Sequence, residues 1–388
     1  MQDPFPRSSP AAHSRRQFLQ RAGAVALTAG VAPQFLSACA ASTTPGAHKG
    51  VGGEVDFLSW EGYDLPSETK AWRTANNVKF NSTYISTHDD IQAKLMSGAA
   101  VGYDVITYYQ GFYDLYRRLD ILTPIDESKI PNLKLLDPFF SESGVAKQFW
   151  DVDGQRWGVP FTWGTTTLDY LPDKTDPPES WLDLLKPEFK GKVGWAPDAT
   201  GAFTLAGCIL GFDVPNYTEK EFAEAAALLR RFRAQTPGMA TSFGDLTNQF
   251  VSGDVVADFA GWAALGSFAK PKGVMIESTV PQEGSYSFCD AFAIPNTVDN
   301  PDTVHAWINE ALRPQVQAES AKALSAGVTV KNAEKLVSAD TKAIYPDAYS
   351  KGIAAHMAVA PPYGSPSADN PVTKEDWLNE FAKIQAGE

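Results

Sequence analysis

Residues 54–388 predict an α/β protein of two lobes, on three observations. Short β-rich runs alternate with helical patterns, the segment is longer than a single hydrophobic core sustains, and 44% of the chain is apolar. The runs Val55 to Trp60, Tyr103 to Tyr108, Val255 to Ala260 and Ala291 to Ile294 read as strands. Their alternation with helices points to mostly parallel sheets. Apolar residues at Phe222, Ala225, Ala226, Leu229 and Phe232 recur at helical spacing. That helix carries its own signals, with Thr218 and Glu221 in a capping-box pattern and Pro237 just beyond the end. A second helix follows from Val304, Trp307, Ile308, Ala311 and Leu312. No internal repeat, heptad or low-complexity block interrupts the series.

The first 38 residues read as an export signal. Ser14-Arg15-Arg16-Gln17-Phe18-Leu19 has the form of a twin-arginine motif, and Ala22 to Leu36 is apolar but too short to span a bilayer. Leu36-Ser37-Ala38-Cys39 then matches a lipoprotein processing site, so Cys39 is expected to carry lipid and hold the protein at the membrane. Residues 39–53, small, polar and Gly-rich, read as a flexible tether.

Of the 33 basic and 46 acidic residues, the first 38 positions hold four arginines and one aspartate, so the remainder carries 29 and 45, a net charge of −16. Such a surface repels nucleic acid and anionic headgroups, and only weakly favours a cationic ligand. Beyond Cys39 the cysteines are Cys208 and Cys289, without metal-site spacing; buried thiols are expected, although an exported protein could bridge them. The five histidines form no ligand pattern. The nucleophile elbow, zinc-protease, P-loop and dinucleotide-binding glycine motifs are all missing, so an enzyme is not expected and no cofactor is implied.

Five ordered segments carry a resemblance: Phe57 to Tyr63 (FLSWEGY), Tyr103-Asp104-Val105-Ile106, Val159 to Thr166 (VPFTWGTT), Ser180-Trp181 to Gly191-Lys192-Val193, and Cys289 to Pro295 (CDAFAIP). Tyr345-Pro346-Asp347 adds a sixth. Together they resemble the periplasmic spermidine/putrescine-binding proteins of polyamine ABC transporters. The resemblance implies a two-lobed periplasmic-binding-protein fold of type II with the ligand cleft between lobes. It also implies a monomer that captures an amine-like solute in the periplasm and delivers it to a permease. Lobe 1 is expected from 54–158 plus 281–325 and lobe 2 from 159–280 plus 326–388, with crossings near Val159-Pro160, Val280-Pro281 and Ala326-Gly327.

The same resemblance implies a ligand set of Trp60, Tyr63, Asp198, Phe288 and Asp290, with Trp262 beside a family Trp position; Glu61 joins them as a candidate because loops after strands in α/β sheets point into the crevice. Carboxylates would replace an amine's hydration, and aromatic faces would hold its methylenes and charge. Read from the residues alone, Trp60 and Phe288 fit core aromatics equally well, and Asp198 after Pro197 fits a helix cap. Asp290 resists such a reading, because an apolar neighbourhood makes an unpaired carboxylate costly. Asp89 and Asp90 read better as solvated acids, and Thr165, Thr166 and Thr167 fit ligand contacts or hinge packing. Three positions depart from the family: Gly201 stands for a Glu, Gly261 for a Trp and Val328 for a Tyr. A three-charge polyamine would lack a counter-charge. Alternatives on the same fold are a zwitterion, an organic anion met by Arg156, or ferric iron met by Tyr108 and Tyr109.

Overall fold

The computed structural model describes residues 50–85, 88–95, 102–109, 112–142, 151–152, 154–344 and 371–388. Arg15, Arg16, Cys39 and Tyr345-Pro346-Asp347 lie outside the described residues. Ten of the strands among the described residues position the site: β1 (Gly53–Ser59), β2 (Val78–Tyr84), β3 (Val105–Tyr109), β4 (Val159–Tyr170), β5 (Val193–Gly194), β6 (Ala257–Asp258), β7 (Gly261–Trp262), β8 (Glu277–Thr279), β9 (Ser287–Pro295) and β10 (Gly327–Val328). The principal helices are α1 (Ala199–Leu210), α2 (Glu219–Arg233), α3 (Phe243–Ser252), α4 (Pro301–Ala311), α5 (Pro314–Leu324) and α6 (Lys374–Ala386). No helix among the described residues is long and apolar enough to cross a membrane.

Along the sheet the strands run β2-β1-β3-β9-β4-β6-β5. β1 is parallel to β2 and β3, but β9 is antiparallel to both β3 and β4, so the sheet is mixed rather than mostly parallel. The reason is topological. A chain that leaves one lobe along β4 and returns along β9 must run in opposite directions on the two, and they lie side by side with Ser287 opposite Thr165 and Phe288 opposite Gly164.

Core packing locates the crossings. Val159, Phe161, Trp163, Cys289, Ala291 and Phe292 belong to the first lobe's apolar clusters, whereas Leu168, Tyr170, Phe259 and Tyr286 belong to the second lobe's. Along β4 and β9 the packing changes from one set of clusters to the other within Gly164–Thr167 and again at Ser287–Phe288, in mid-strand, a few residues after the Pro-containing sites. Val328, Val330, Ala333 and Val337 pack with Val55 and Phe57, while Val372 and Trp377 pack in the second lobe.

Local chemistry explains the remaining boundaries. β3 starts at Val105 because the Asp104 carboxylate accepts from the backbone N–H of Asp56 at 2.9 Å and of Asp299 at 2.8 Å, taking ladder positions a strand would use. The run Val255 to Ala260 gives only the short β6, since Ala260 turns the chain at φ 59° before β7. In α2 both halves of the capping box are made, Glu221 N to Thr218 Oγ1 at 3.2 Å and Thr218 N to Glu221 Oε2 at 2.9 Å. α4 begins at Pro301, whose missing N–H costs nothing in a first turn, and buries Val304, Trp307, Ile308 and Ala311. There Trp307 lies 4.8 Å from Phe292, which stacks on Phe161 at 3.9 Å. The second lobe is centred on Phe259, with Phe232 at 4.1 Å and Trp195 at 4.9 Å.

Candidate functional site

Where the two lobes face each other, a cavity of about 70 Å³ is enclosed by Trp60, Tyr63, Tyr109, Phe288 and Asp290 from the first lobe and its crossing strand. Thr166, Asp198, Thr200, Gly201, Phe243, Trp262 and Tyr286 close it from the other side. The turn after β1 places two of these side chains. Gly62 takes φ 86°, a conformation open to glycine, and the Tyr63 N–H returns to the Trp60 carbonyl at 3.2 Å. Trp60 and Tyr63 thereby face the cavity, while Glu61 is sent outward.

Asp290 is the most confined acid in the cavity. It sits on β9 opposite Tyr109 and Thr162, beside a bulge between Asp290 and Ala291, and is 3% exposed. The Tyr63 hydroxyl donates to its Oδ2 at 2.7 Å. Burial raises its carboxyl to about 7, and the Tyr63 hydrogen bond only partly opposes that rise. The Cys289 thiol next to it is pushed up by burial and by Asp290.

Asp198 has two tasks on its two oxygens. Oδ1 accepts from Thr200 N at 3.1 Å and caps α1, as the sequence allowed, while the residue also lines the cavity. Asp198 and Asp290 both act on the Tyr109 phenol, which burial raises first. Two carboxyl groups therefore share one aromatic cavity, and its lining contains no lysine or arginine among the described residues. A Cβ at Gly201 would stand 2.6 Å from Asp198 Oδ2 and collide with the Tyr286 hydroxyl. The space of a longer side chain at 201 is thus filled by Tyr286, whose phenol is raised by burial and then by Asp198.

Six of the seven residues expected at the site, Trp60, Tyr63, Asp198, Trp262, Phe288 and Asp290, line this cavity. Glu61 does not. It lines an adjoining outer groove of about 430 Å³ with Tyr84, Thr247 and Lys272. Trp60, Phe243 and Trp262 face both spaces, with Phe243 6.2 Å from Trp60 and 5.5 Å from Trp262. Sequence reading missed Phe243, although Ser242, whose side chain accepts from Asp245 N at 3.1 Å, marks the helix start that presents it. Tyr286 was missed as well, and Tyr109 was read only as half of an iron-binding pair. Of the threonines, Thr166 reaches the cavity, Thr165 bonds Ser287 at 2.8 Å, and Thr167 bonds Asp169 at 3.0 Å.

Neither alternative ligand set assembles. Tyr108 points from β3 into the first lobe's core, 6.1 Å from the rings of Tyr113 and Tyr116, while Tyr109 faces the cavity, as alternation along a strand requires. No cluster able to hold a metal ion occurs among the described residues. Arg156 lies 3.3 Å from Glu127 and does not line the cavity. Cys208 and Cys289 are not joined to each other by a disulfide.

Comparison with known proteins adds three findings. The family model for bacterial extracellular solute-binding proteins matches residues 69–348. A spermidine/putrescine-binding periplasmic protein of Salmonella typhimurium is 28% identical over 314 residues, 79% of this chain and 87% of that protein. A putrescine-binding periplasmic protein of Escherichia coli is 29% identical over 316 residues, 76% of this chain and 83% of that protein. In structure, the substrate-binding protein of a spermidine/putrescine ABC transporter from Streptococcus pneumoniae aligns with a TM-score of 0.66 at 19% identity. That alignment covers 85% of this chain and 97% of that one.

Proposed function

The chain belongs to the bacterial extracellular solute-binding proteins, substrate-binding components of ABC importers rather than enzymes, and on that premise we propose that its own solute is a small organic amine. One observation carries this reading. Asp198 and Asp290 face a cavity walled by Trp60, Tyr63, Tyr109, Trp262, Tyr286 and Phe288 whose lining has no basic side chain among the described residues. An ammonium group gains a counter-charge at either acid, and each aromatic face it crosses contributes about 0.5–2 kcal/mol of cation–π attraction. An anion would meet two acids with no basic side chain among the described lining residues to offset them. The names of the relatives, putrescine- and spermidine-binding proteins, agree in ligand class. The Gly201–Tyr286 contact favours a short amine over one with a third charge at that end.

The proposed roles are specific. Asp290 is the principal counter-ion, Asp198 a second one, and Trp60, Tyr63, Trp262 and Phe288 supply apolar and π contact. Glu61 would meet the ligand on entry through the outer groove. The lobes would close about the paired crossings Gly164–Thr167 and Ser287–Phe288, giving a permease one compact form to recognise. Thermal-shift titration with putrescine, spermidine, amino acids and organic anions tests the reading, because a ligand held only by the native state raises the melting temperature. A rise with putrescine, and a smaller radius of gyration by X-ray scattering at saturation, are expected. A rise only with an organic anion overturns the amine.

The protein is further proposed to act as a lipid-anchored monomer in the periplasm, exported by the twin-arginine route. Arg15→Lys with Arg16→Lys is expected to stop export. Cys39→Ser is expected to move the protein to the soluble fraction with an unchanged melting temperature, since the modified sulfur lies outside the globular segment. Membrane fractionation decides it, and a Cys39→Ser protein that remains in the membrane defeats the lipid anchor.

A further inference from the structure

Behind the cavity wall lies a second acid pair that ligand binding does not use. Asp169 on β4 and Asp258 on β6 are both fully buried. Two of their four oxygens have plain donors. Asp169 Oδ1 accepts from Thr167 Oγ1 at 3.0 Å and from the Ser278 hydroxyl, and Asp258 Oδ1 accepts from the Asp169 backbone N–H at 2.9 Å. Among the described residues neither Oδ2 atom has a hydrogen-bond partner of good geometry, although the Trp262 backbone amide acts on Asp169, and both converge on Gly261, where a Cβ would collide with them. We infer that Asp169 and Asp258 are a positioning pair that shares one proton between its Oδ2 atoms and fixes the Gly261–Trp262 wall of the ligand cavity.

The argument is one of satisfaction and charge. Two carboxylates in contact cannot both stay ionised when buried, because each adds repulsion to the other's desolvation. A proton on Asp258 Oδ2, donated to Asp169 Oδ2, gives every oxygen a partner and leaves the pair with a single negative charge. The direction of the shifts agrees: burial and then Asp169 push Asp258 well up, and burial lifts Asp169 to about 6 against its hydroxyl donors. The groups facing the pair are Thr167 on β4, Ser278 on β8 and the Trp262 backbone amide on β7. The nearest titratable neighbours on those strands, Tyr170 and Glu277, bond each other at 2.8 Å. Asp169 is the charge that acts on Asp258 among the described residues. Four strands, β4, β6, β7 and β8, are thus drawn together by one proton. Gly261 must be glycine for β7 to approach so closely, and its neighbour Trp262 lines the cavity.

The sign of the pH effect follows. Both carboxyl groups titrate higher in the folded chain than in the unfolded one, so their contribution is complete in mild acid and is lost as pH rises through the folded values. Asp258→Asn replaces the shared proton with a permanent N–H donor of the same shape. Infrared spectra of the ligand-free full chain at pH 8, above the titration of Asp290, should show a protonated carboxyl band that Asp258→Asn removes and Asp290→Asn leaves. The melting temperature of the parent should fall from pH 5 to 9, and Asp258→Asn should flatten that fall. Asp258→Ala, which loses shape and donor together, should melt lower at every pH. The ratio of putrescine affinity at pH 9 to that at pH 7 should be closer to one in Asp258→Asn than in the parent. Absence of the carboxyl band from the parent, or an Asp258→Asn melting profile parallel to the parent's, overturns the inference. Because the spectra and the melting curves need no ligand, failure of putrescine to bind would count against the amine reading alone.

Discussion

Asp290→Asn should weaken binding of putrescine by about 2–5 kcal/mol, roughly 30- to 5,000-fold in affinity, while making the ligand-free protein more stable at neutral pH. The opposite signs come from one cause. In the empty cavity the Asp290 charge is desolvated and met only by the Tyr63 hydroxyl at 2.7 Å, which is why its carboxyl titrates at about 7. A folded value above the unfolded one means that its contribution to stability is present in acid and lost as pH rises through about 7. Asparagine keeps the shape, still accepts from Tyr63 and carries no charge to bury, so the melting temperature above neutral pH should rise. The same substitution deletes the counter-ion an ammonium needs. In the parent, affinity should increase as pH rises to about 7, with a proton released on binding below that point; in the variant both features should vanish. Calorimetry in buffers of different ionisation enthalpy, together with melting curves, measures each part. A variant that binds putrescine as tightly as the parent would remove Asp290 from the site.

Much of this arrangement was legible in the sequence because it depends on short-range chemistry. The turn from Trp60 to Tyr63, the cap at Asp198 and the apolar strand around Asp290 are each written within a few residues, and each puts its side chain at the cavity. Glu61 shows the limit of that reading. It adjoins Trp60, but a single positive φ at Gly62 decides which neighbours turn inward, and composition does not encode that direction. The strands that change core cluster show a related limit. Proline and glycine suggest interruption, whereas the chain here passes between lobes on two continuous, paired strands.

What stayed hidden depends on contacts between distant segments. Asp169 and Asp258 are 89 positions apart and meet only because β4 and β6 pair at Tyr170 and Ala257. Tyr286 matters through the space that Gly201 leaves, and neither residue alone signals it. Phe243 begins a helix whose cap was visible in Ser242, yet nothing local says that this first turn faces Trp60 across the cleft. Tyr109 was read with Tyr108 as a pair, and the strand then separated them to opposite faces.

Gly327→Ala is expected to be the most damaging single methyl group near the lobe junction. Gly327 on β10 pairs with Trp163 on β4, and a Cβ there would collide with three atoms of the indole ring. The ring has nowhere to go. Trp163 is 4% exposed, its Nε1 donates to the Val328 carbonyl at 2.8 Å, and it packs with Ala263, Cys289 and Ala291. Displacing it adds overpacking strain of about 1–3 kcal/mol to about 1–3 kcal/mol for a buried carbonyl left without its donor. The melting temperature should therefore fall by many degrees, and ligand affinity should fall with it, because Trp163 is the β4 residue opposite Cys289, next to Asp290. A methyl group tolerated here would show that the indole can rotate away, and the parent's melting temperature would be kept. The double variant Gly327→Ala with Trp163→Leu distinguishes steric conflict from backbone strain. Removing the ring opens the space, so the two changes together should cost less than their separate losses summed. Strict additivity would mean that the damage at Gly327 does not act through Trp163.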